Sequence, residues 1–258
     1  MKKNLIVTIM FGSDPSFYFA KKSFVDYAKK VDADFLCITE YSGDFESLSK
    51  SNMLHEALFE KISLGRFLKK YQRVLYIDGD ILITPHAKNI FNEYPNLDEV
   101  YMLNEGLLSD RKEELRLIAS RINKPINDRN YFNAGVILFS TGTKFLQTVL
   151  IKDLQFFYNS SHWFDQTYIN YICRVNELNV ISLNGNFNRM ALVGSPDTRF
   201  SADFIHYAGN GYCSKKTRPK LMFNDYCALY NYKPKLKERL IYIYGYILLR
   251  VKRLLAKI

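Results

Sequence analysis

Arg73-Val74-Leu75-Tyr76-Ile77-Asp78-Gly79-Asp80-Ile81-Leu82-Ile83 is an apolar β-type run broken by two carboxylates. A buried strand rarely carries charge unless that charge is paired or holds a metal. In extended backbone, residues i and i+2 point to one side, so Asp78 and Asp80 would converge. Gly79 keeps the intervening position open and lets another group come close to the backbone. Hard cations such as Mg²⁺ and Mn²⁺ take carboxylate oxygen and keep positions for substrate phosphates. A divalent cation carrying a phosphate therefore accounts for both charges. The competing reading is a strand that ends in an ordinary Asp-Gly-Asp turn. The apolar residues on both sides weigh against it.

Outward from this run, strand-like and helix-like stretches alternate. Residues 5–10, 35–39, 74–77 and 100–103 read as strands, and 17–30 and 53–70 as helices. That order predicts an α/β domain with a mostly parallel sheet. Further strands are expected at 135–140 and 180–183, with helices at 143–158 and 165–175. An aspartate pair at the end of a central strand of such a sheet lies where open α/β sheets bind ligands. Residues 104–130 are polar and charged, with one helix expected over 111–121. No internal repeat or low-complexity segment interrupts the chain.

With 258 residues and 48% hydrophobic content, the chain can bury one sizeable core. This suits one domain, 1–232, and an appendage, 233–258. Cys37, Cys173, Cys213 and Cys227 are widely spaced, with no Cys-X-X-Cys. That argues against a disulfide framework or a zinc site and fits a reducing cytosol. Residues 1–10 could pass for a short signal peptide, but the apolar run is short and no small-residue cleavage site follows. They read as the first strand. No apolar run reaches the roughly 18 residues of a transmembrane helix.

The net charge of +10 is unevenly placed. Residues 233–258 hold eight Lys/Arg and one Glu, or +7, which leaves +3 for the rest. A nucleic-acid binder would carry its basic stripe on the folded body, so that class is disfavoured. In the tail, Leu236, Leu240, Ile243, Ile247, Val251, Leu254 and Ile258 recur at helical spacing. Basic residues flank an apolar centre that contains Tyr242, Tyr244 and Tyr246. Such a helix fits the plane of an anionic membrane. It could also pack on the domain or in a dimer, but the basic flanks favour the membrane.

The 73–83 run resembles the signature of nucleotide-sugar-dependent glycosyltransferases of the GT-A fold. The match is to retaining family 8, which includes bacterial lipooligosaccharide α-galactosyltransferases and glycogenin. Three further segments resemble that family's, in the same order. Tyr131-Phe132-Asn133-Ala134-Gly135-Val136 is similar to its Phe-Asn-(Ala/Ser)-Gly segment, Trp163-Phe164-Asp165-Gln166-Thr167-Tyr168-Ile169-Asn170 to its Asp-Gln segment, and Phe204-Ile205-His206-Tyr207-Ala208-Gly209 to its His-X-X-Gly segment. Together they span most of the first 210 residues.

The resemblance implies a UDP-sugar donor and a set of site residues. Asp78, Asp80 and His206 would be the ligands of Mn²⁺ or Mg²⁺, with Gly79 and Gly209 beside the donor diphosphate. Asn133, Ala134 and Gly135 would line the donor sugar. Asp165 and Gln166 would contact its hydroxyls, with Gln166 near the reacting carbon; Asp165 could also cap a helix. Thr8 and the following loop, Phe11-Gly12-Ser13-Asp14, would help hold base and ribose. Lys61 stands where the family usually carries an arginine, and reads either as a donor contact or as a solvated helical lysine. His55, His86 and His162 lack motif context and read as structural. Residues 104–130 would border the acceptor site or form an ordinary surface helix.

One departure concerns the family's lysine shortly after the His-X-X-Gly glycine, which serves the diphosphate. Here Gly209 is followed by Asn210-Gly211-Tyr212-Cys213-Ser214-Lys215-Lys216. Lys215, Lys216 or the amides of Gly209 and Gly211 could take that part. No carboxylate nucleophile stands out, so front-face and double-displacement routes both stay open.

The expected activity is metal-dependent, retaining transfer of glucose or galactose from a UDP-sugar to a glycan. The basic tail and the resembling bacterial enzymes, which end in similar tails, suggest lipopolysaccharide or another lipid-linked surface glycan. The protein would then be cytoplasmic and peripheral on the inner face of the cell membrane. A sugar nucleotidyltransferase is a rival. It would need a Gly-rich, basic phosphate loop after the first strand, which Phe11-Gly12-Ser13-Asp14-Pro15 is not. A non-catalytic membrane-associated module of the same fold is the other.

Overall fold

The computed structural model describes residues 2–43, 53–236 and 238. Strands that are apolar on both faces need a covering layer on each side, and this requirement sets the architecture. Six strands form the main sheet: β1 (Lys2–Ile9), β2 (Asp34–Ile38), β3 (Tyr71–Ile77), β5 (Val100–Asn104), β6 (Phe132–Ser140) and β7 (Val180–Ser182). Their order is β2-β1-β3-β6-β5-β7. All run in one direction except β6, which is antiparallel to both β3 and β5. The mostly parallel sheet expected from the sequence is thus present, with one reversed strand at its centre.

Alternation along β3 divides the core in two. Val74 and Tyr76 face a layer built from α2 (Met53–Ile62), α4 (Lys112–Ile122), α5 (Ile151–Ser160) and α6 (Phe164–Val175). Leu75 and Ile77 face α1 (Ser16–Lys30), α7 (Arg218–Leu229) and a separate antiparallel ribbon of β4 (Ile81–Ile83) and β8 (Phe204–His206). All four residues are at most 2% exposed. Burying each such side chain stabilises by about 1.5–3 kcal/mol. A short helix, α3 (Ile90–Glu93), follows β4.

Three expectations change. Residues 143–158 do not form one helix: the chain turns through 141–150, and only α5 is helical. Lys144 and Leu146 take positive φ angles of 52° and 53°, which no helix accepts. The turn presses its backbone on the segment after α2, where a methyl group on Gly65 would lie 2.1 Å from the Leu146 carbonyl oxygen. Second, β3 ends at Ile77, so Asp78, Gly79 and Asp80 lie in a turn and not in extended backbone. The chain must leave the sheet there to begin β4. Third, Gly79 does not leave space: a Cβ would fall 2.8 Å from the Phe17 ring, which fills that position.

Residues 1–10, weighed as a leader, include β1, an interior strand paired with β2 and β3. Among the described residues no helix is long and apolar enough to cross a membrane. The expected tail helix lies almost wholly outside the described residues. Glu238 is described, and its carboxylate meets Tyr18, Lys22 and Tyr232.

Candidate functional site

Three elements converge at the tip of β3. The Asp78 N–H donates to the Gly135 carbonyl at 2.8 Å, which ties the end of β3 to β6. Ribbon pairing places Ile81 opposite His206, and the Tyr207 N–H donates to the Asp80 carbonyl at 2.9 Å. The His206 Nε2 therefore lies 3.3 Å from an Asp80 oxygen and 3.8 Å from an Asp78 oxygen. One ligand atom from each of the three lies within 4.8 Å of the others. Gly135 makes room for this: a Cβ there would sit 2.2 Å from His206 Cε1.

A chain of amides fixes the imidazole. Glu105, when ionised, only accepts, so its Oε2 takes N–H groups from Gln166 at 2.9 Å and Asn133 at 3.2 Å. The Asn133 Oδ1 then accepts from the Gly135 N–H and from Asn188 Nδ2, each at 2.9 Å. That leaves Asn188 Oδ1 to accept from His206 Nδ1, 2.7 Å away. This polarity puts a proton on Nδ1 and turns Nε2 toward the aspartates, where it shares their charge when protonated and can ligate a cation when it is not. Two carboxylates and an oriented imidazole suit a Mn²⁺- or Mg²⁺-class cation.

The cluster is flanked by two cations. Lys61, at the end of α2, is 5% exposed, which overturns its reading as a solvated lysine. Its ammonium meets Asp165 at 2.8 Å, Asp78 at 3.0 Å and the Ala134 carbonyl at 3.4 Å. Burial alone would pull its pKa down. Asp165 and Asp78 more than offset this, and the group sits well above the ordinary lysine value. On the other side, the Arg218 guanidinium bonds the second Asp80 oxygen at 2.7 Å and the Gly209 carbonyl at 2.9 Å. For Asp80, burial pushes the carboxyl up, but His206 and Arg218 outweigh it and hold the group ionised, below the usual range. Tyr76 donates to Asp78, and burial followed by that carboxylate pushes its phenol well up.

Asp165 does not cap α6. The cap position is Trp163, which makes no side-chain capping bond, and Asp165 lies in the first turn, held by Lys61. Gln166 is gripped at both ends: its Oε1 accepts from Asn133 at 3.1 Å and from the Ala134 N–H at 3.2 Å, while its amide NH₂ meets Glu105. Gly209 has φ +57°, and a Cβ there would meet no heavy atom within 4 Å, so a tight turn explains the residue.

Two expected residues stand apart. Thr8 is fully buried within β1, and its hydroxyl has no hydrogen-bond partner among the described residues. Lys215 is exposed, and among the described residues only its backbone N–H bonds, to Asn210. Three residues that join the site carry no motif. Glu105 and Asn188 resemble ordinary polar loop residues in the sequence. Arg218 had a signal nearby, since Pro219 near the start of α7 marks a helix start.

A mostly parallel sheet with one reversed central strand, a carboxylate pair at the tip of β3 and an antiparallel ribbon behind it is the GT-A glycosyltransferase fold. Solved structures agree. A glycosyltransferase involved in glycosylation of the major capsid of PBCV-1 matches at 15% identity with a TM-score of 0.56, covering 86% of this chain and 98% of that one. The galactosyltransferase LgtC, solved with donor and acceptor sugar analogs, matches at 14% and 0.56, covering 92% and 99%. The bifunctional glycosyltransferase WbbM matches at 12% and 0.58, covering 93% of this chain and 51% of that one. At such identities the likeness speaks to the fold. No protein of curated function matches at the sequence level. The profile of Glycosyl transferase family 8 matches residues 15–212, well over half of the chain. The chain belongs to glycosyltransferase family 8 and is a glycosyltransferase.

Proposed function

We propose that this glycosyltransferase moves a hexose, glucose or galactose, from a UDP-sugar to a glycan with retention of anomeric configuration. The observation that carries the reading is the Asp78–Asp80–His206 cluster with its imidazole fixed through Asn188. Mn²⁺ or Mg²⁺ bound there would act as a Lewis acid on the leaving diphosphate.

The chain's own groups do the rest. Arg218 takes the diphosphate in place of the missing lysine, because its guanidinium already lies against Asp80 and Gly209 while Lys215 is exposed. Lys61 holds Asp78 and Asp165 in place and keeps three carboxylates from repelling one another. Asn133, Ala134, Gly135, Asp165 and Gln166 form the seat of the donor sugar, with the Gln166 amide beside the reacting carbon. The nearby carboxylates are engaged, Asp165 by Lys61 and Glu105 by Arg111, Gln166 and Asn133. This favours a front-face course over double displacement, with the departing phosphate oxygen taking the acceptor's proton.

The charge and spacing of residues 233–258 support a peripheral seat on an anionic membrane. With it goes a lipid-linked acceptor such as lipopolysaccharide. The test is UDP release from a panel of UDP-sugars with Mn²⁺ and with a chelator. Release from one donor that needs the metal supports the reading and names the sugar. A folded protein that neither binds nor turns over any UDP-sugar overturns it.

A further inference from the structure

Beyond Glu105 the surface changes character. A cavity of about 700 Å³ opens between α4 and the loop 125–129, with Gly106 on its wall. Its floor is apolar, with Leu115 and Ile126, and its rim is charged. Arg111, Lys112, Arg116 and Arg129 line it against Asp110 and Asp128, so the lining carries +2. Asp128 is taken by Arg174 in a two-bond fork at 2.6 and 3.2 Å. Asp110 holds the Lys112 N–H at 2.9 Å and its ammonium at 3.6 Å. Arg116 pairs with Glu113, and both are largely exposed, so that contact is weak. Among the described residues the Arg129 side chain makes no hydrogen bond or ion pair.

Arg111 links this cavity to the site. Its guanidinium pairs with one Glu105 oxygen, and the other Glu105 oxygen holds Gln166. One carboxylate thus separates the cavity wall from the amide that faces the donor sugar. Among the described residues the Arg111 Nε–H is buried without a hydrogen-bond partner. The same guanidinium lies over Trp163, its carbon 4.0 Å from the ring centre.

We propose that this cavity seats the acceptor, and that the acceptor is an anionic glycan carrying a carboxylate or phosphate near the hydroxyl that receives the hexose. This rests on the reading that Gln166 and Asn133 hold the donor sugar, since the acceptor must then approach from an adjoining surface. A sugar ring covers the apolar floor, and its anionic group meets Arg129, Arg116 and Lys112 on the rim. A neutral glycan would leave Arg129 without an ion-pair partner and Arg116 with only its exposed one.

Trp163 is the chain's one tryptophan, so its emission reports on the cavity. The probes are glucose 6-phosphate, glucuronate and glucose at matched ionic strength, with Mn²⁺ and UDP present. Saturation-transfer NMR detects binding too weak to move the emission. Both anionic sugars, or the one whose anion the site prefers, bind saturably and more tightly than glucose. The double variant R116Q/R129Q, altered at exposed positions, loses about tenfold in that affinity. Its UDP affinity, measured by calorimetry, stays that of the parent. Equal binding of glucose, an unchanged variant, no signal for either anion by both methods, or displacement of glucose 6-phosphate by UDP would each overturn the proposal. Anion binding that survives in a protein unable to bind any UDP-sugar would instead overturn the donor reading and leave the anion site standing.

Discussion

Asp80 and Asp225 are both carboxylates met by an arginine, and they are wired differently. Asp225 is closed. Arg199 reaches its two oxygens through Nε and Nη2 at 2.7 Å each, Tyr207 adds a bond at 2.6 Å, and the side chain is 4% exposed. Asp80 is open. Arg218 takes one oxygen, the other faces only the His206 Nε2 at 3.3 Å, and the side chain is 20% exposed. A saturated pair has nothing left to offer a ligand and serves the fold. A half-saturated one keeps a donor atom in reserve. The two are neighbours in the chain, since Tyr207 follows His206, so the closed pair anchors the strand that carries a partner of the open one.

The comparison breaks most sharply at Asp80. Asp80→Ala should remove several kcal/mol of stabilisation of the leaving group, which is roughly a thousandfold in metal-dependent UDP release. Its melting temperature should hold. Unimpaired turnover in this variant would show that the open carboxylate is idle. Arg199→Leu should do the opposite. It leaves Asp225 as an uncompensated buried charge and costs about 3–5 kcal/mol, read from urea unfolding. Turnover per folded molecule should survive, and a variant of parental stability would count against the closed reading.

Asn188→Ala sharpens the contrast within the open site. It removes the acceptor that fixes the Nδ1 proton and should weaken Mn²⁺ binding about 10–100-fold by calorimetry. Unchanged affinity would mean that the tautomer is set elsewhere.

The smallest effect belongs to Glu238. Tyr232 foremost, with the Lys235 N–H and Lys22, holds its carboxyl at about 2. A depressed carboxyl stabilises the folded state above its ordinary value and loses that contribution as pH falls. Glu238→Gln should therefore lower the melting temperature by about 1–2 °C at neutral pH. The gap should narrow below the ordinary carboxyl range and close near pH 2. A gap that is constant with pH would assign the contact to packing alone.

What the sequence disclosed follows the same divide between local and distant causes. Asp78 and Asp80 were legible because charge inside an apolar run is anomalous wherever it occurs. The sheet was legible because β1, β3 and β6 each carry an unbroken apolar run, Leu5-Ile6-Val7, Val74-Leu75-Tyr76-Ile77 and Val136-Ile137-Leu138-Phe139. His206 was legible only through its motif, since the three-residue strand that presents it is too short to read. Glu105, Asn188 and Arg218 acquire meaning only from what the fold sets beside them. The same holds at 143–150, where Thr143-Lys144-Phe145-Leu146 has helical spacing and no glycine or proline, yet packing against Gly65 forces left-handed backbone at two positions. Asp165 misled for a related reason: an acidic residue near a helix start is a common cap, and only the arrival of Lys61 from α2 gives it another partner.

The β4–β8 ribbon also sets a timetable. His206 follows Asp80 by 126 residues. At about 5–20 residues per second, the ribosome delivers the imidazole roughly 6–25 s after the carboxylates. At the start of that interval β3 can pair with β1, already made, but the strand that reverses the sheet, the asparagine that sets the tautomer and the histidine itself do not yet exist. The nascent chain therefore carries two aspartates with Lys61 as the one cation of the finished cluster already synthesised. The site is completed only after the last strand of the main sheet has been made, and a chain cut short before residue 204 would keep that sheet's strands while lacking the histidine of the cluster.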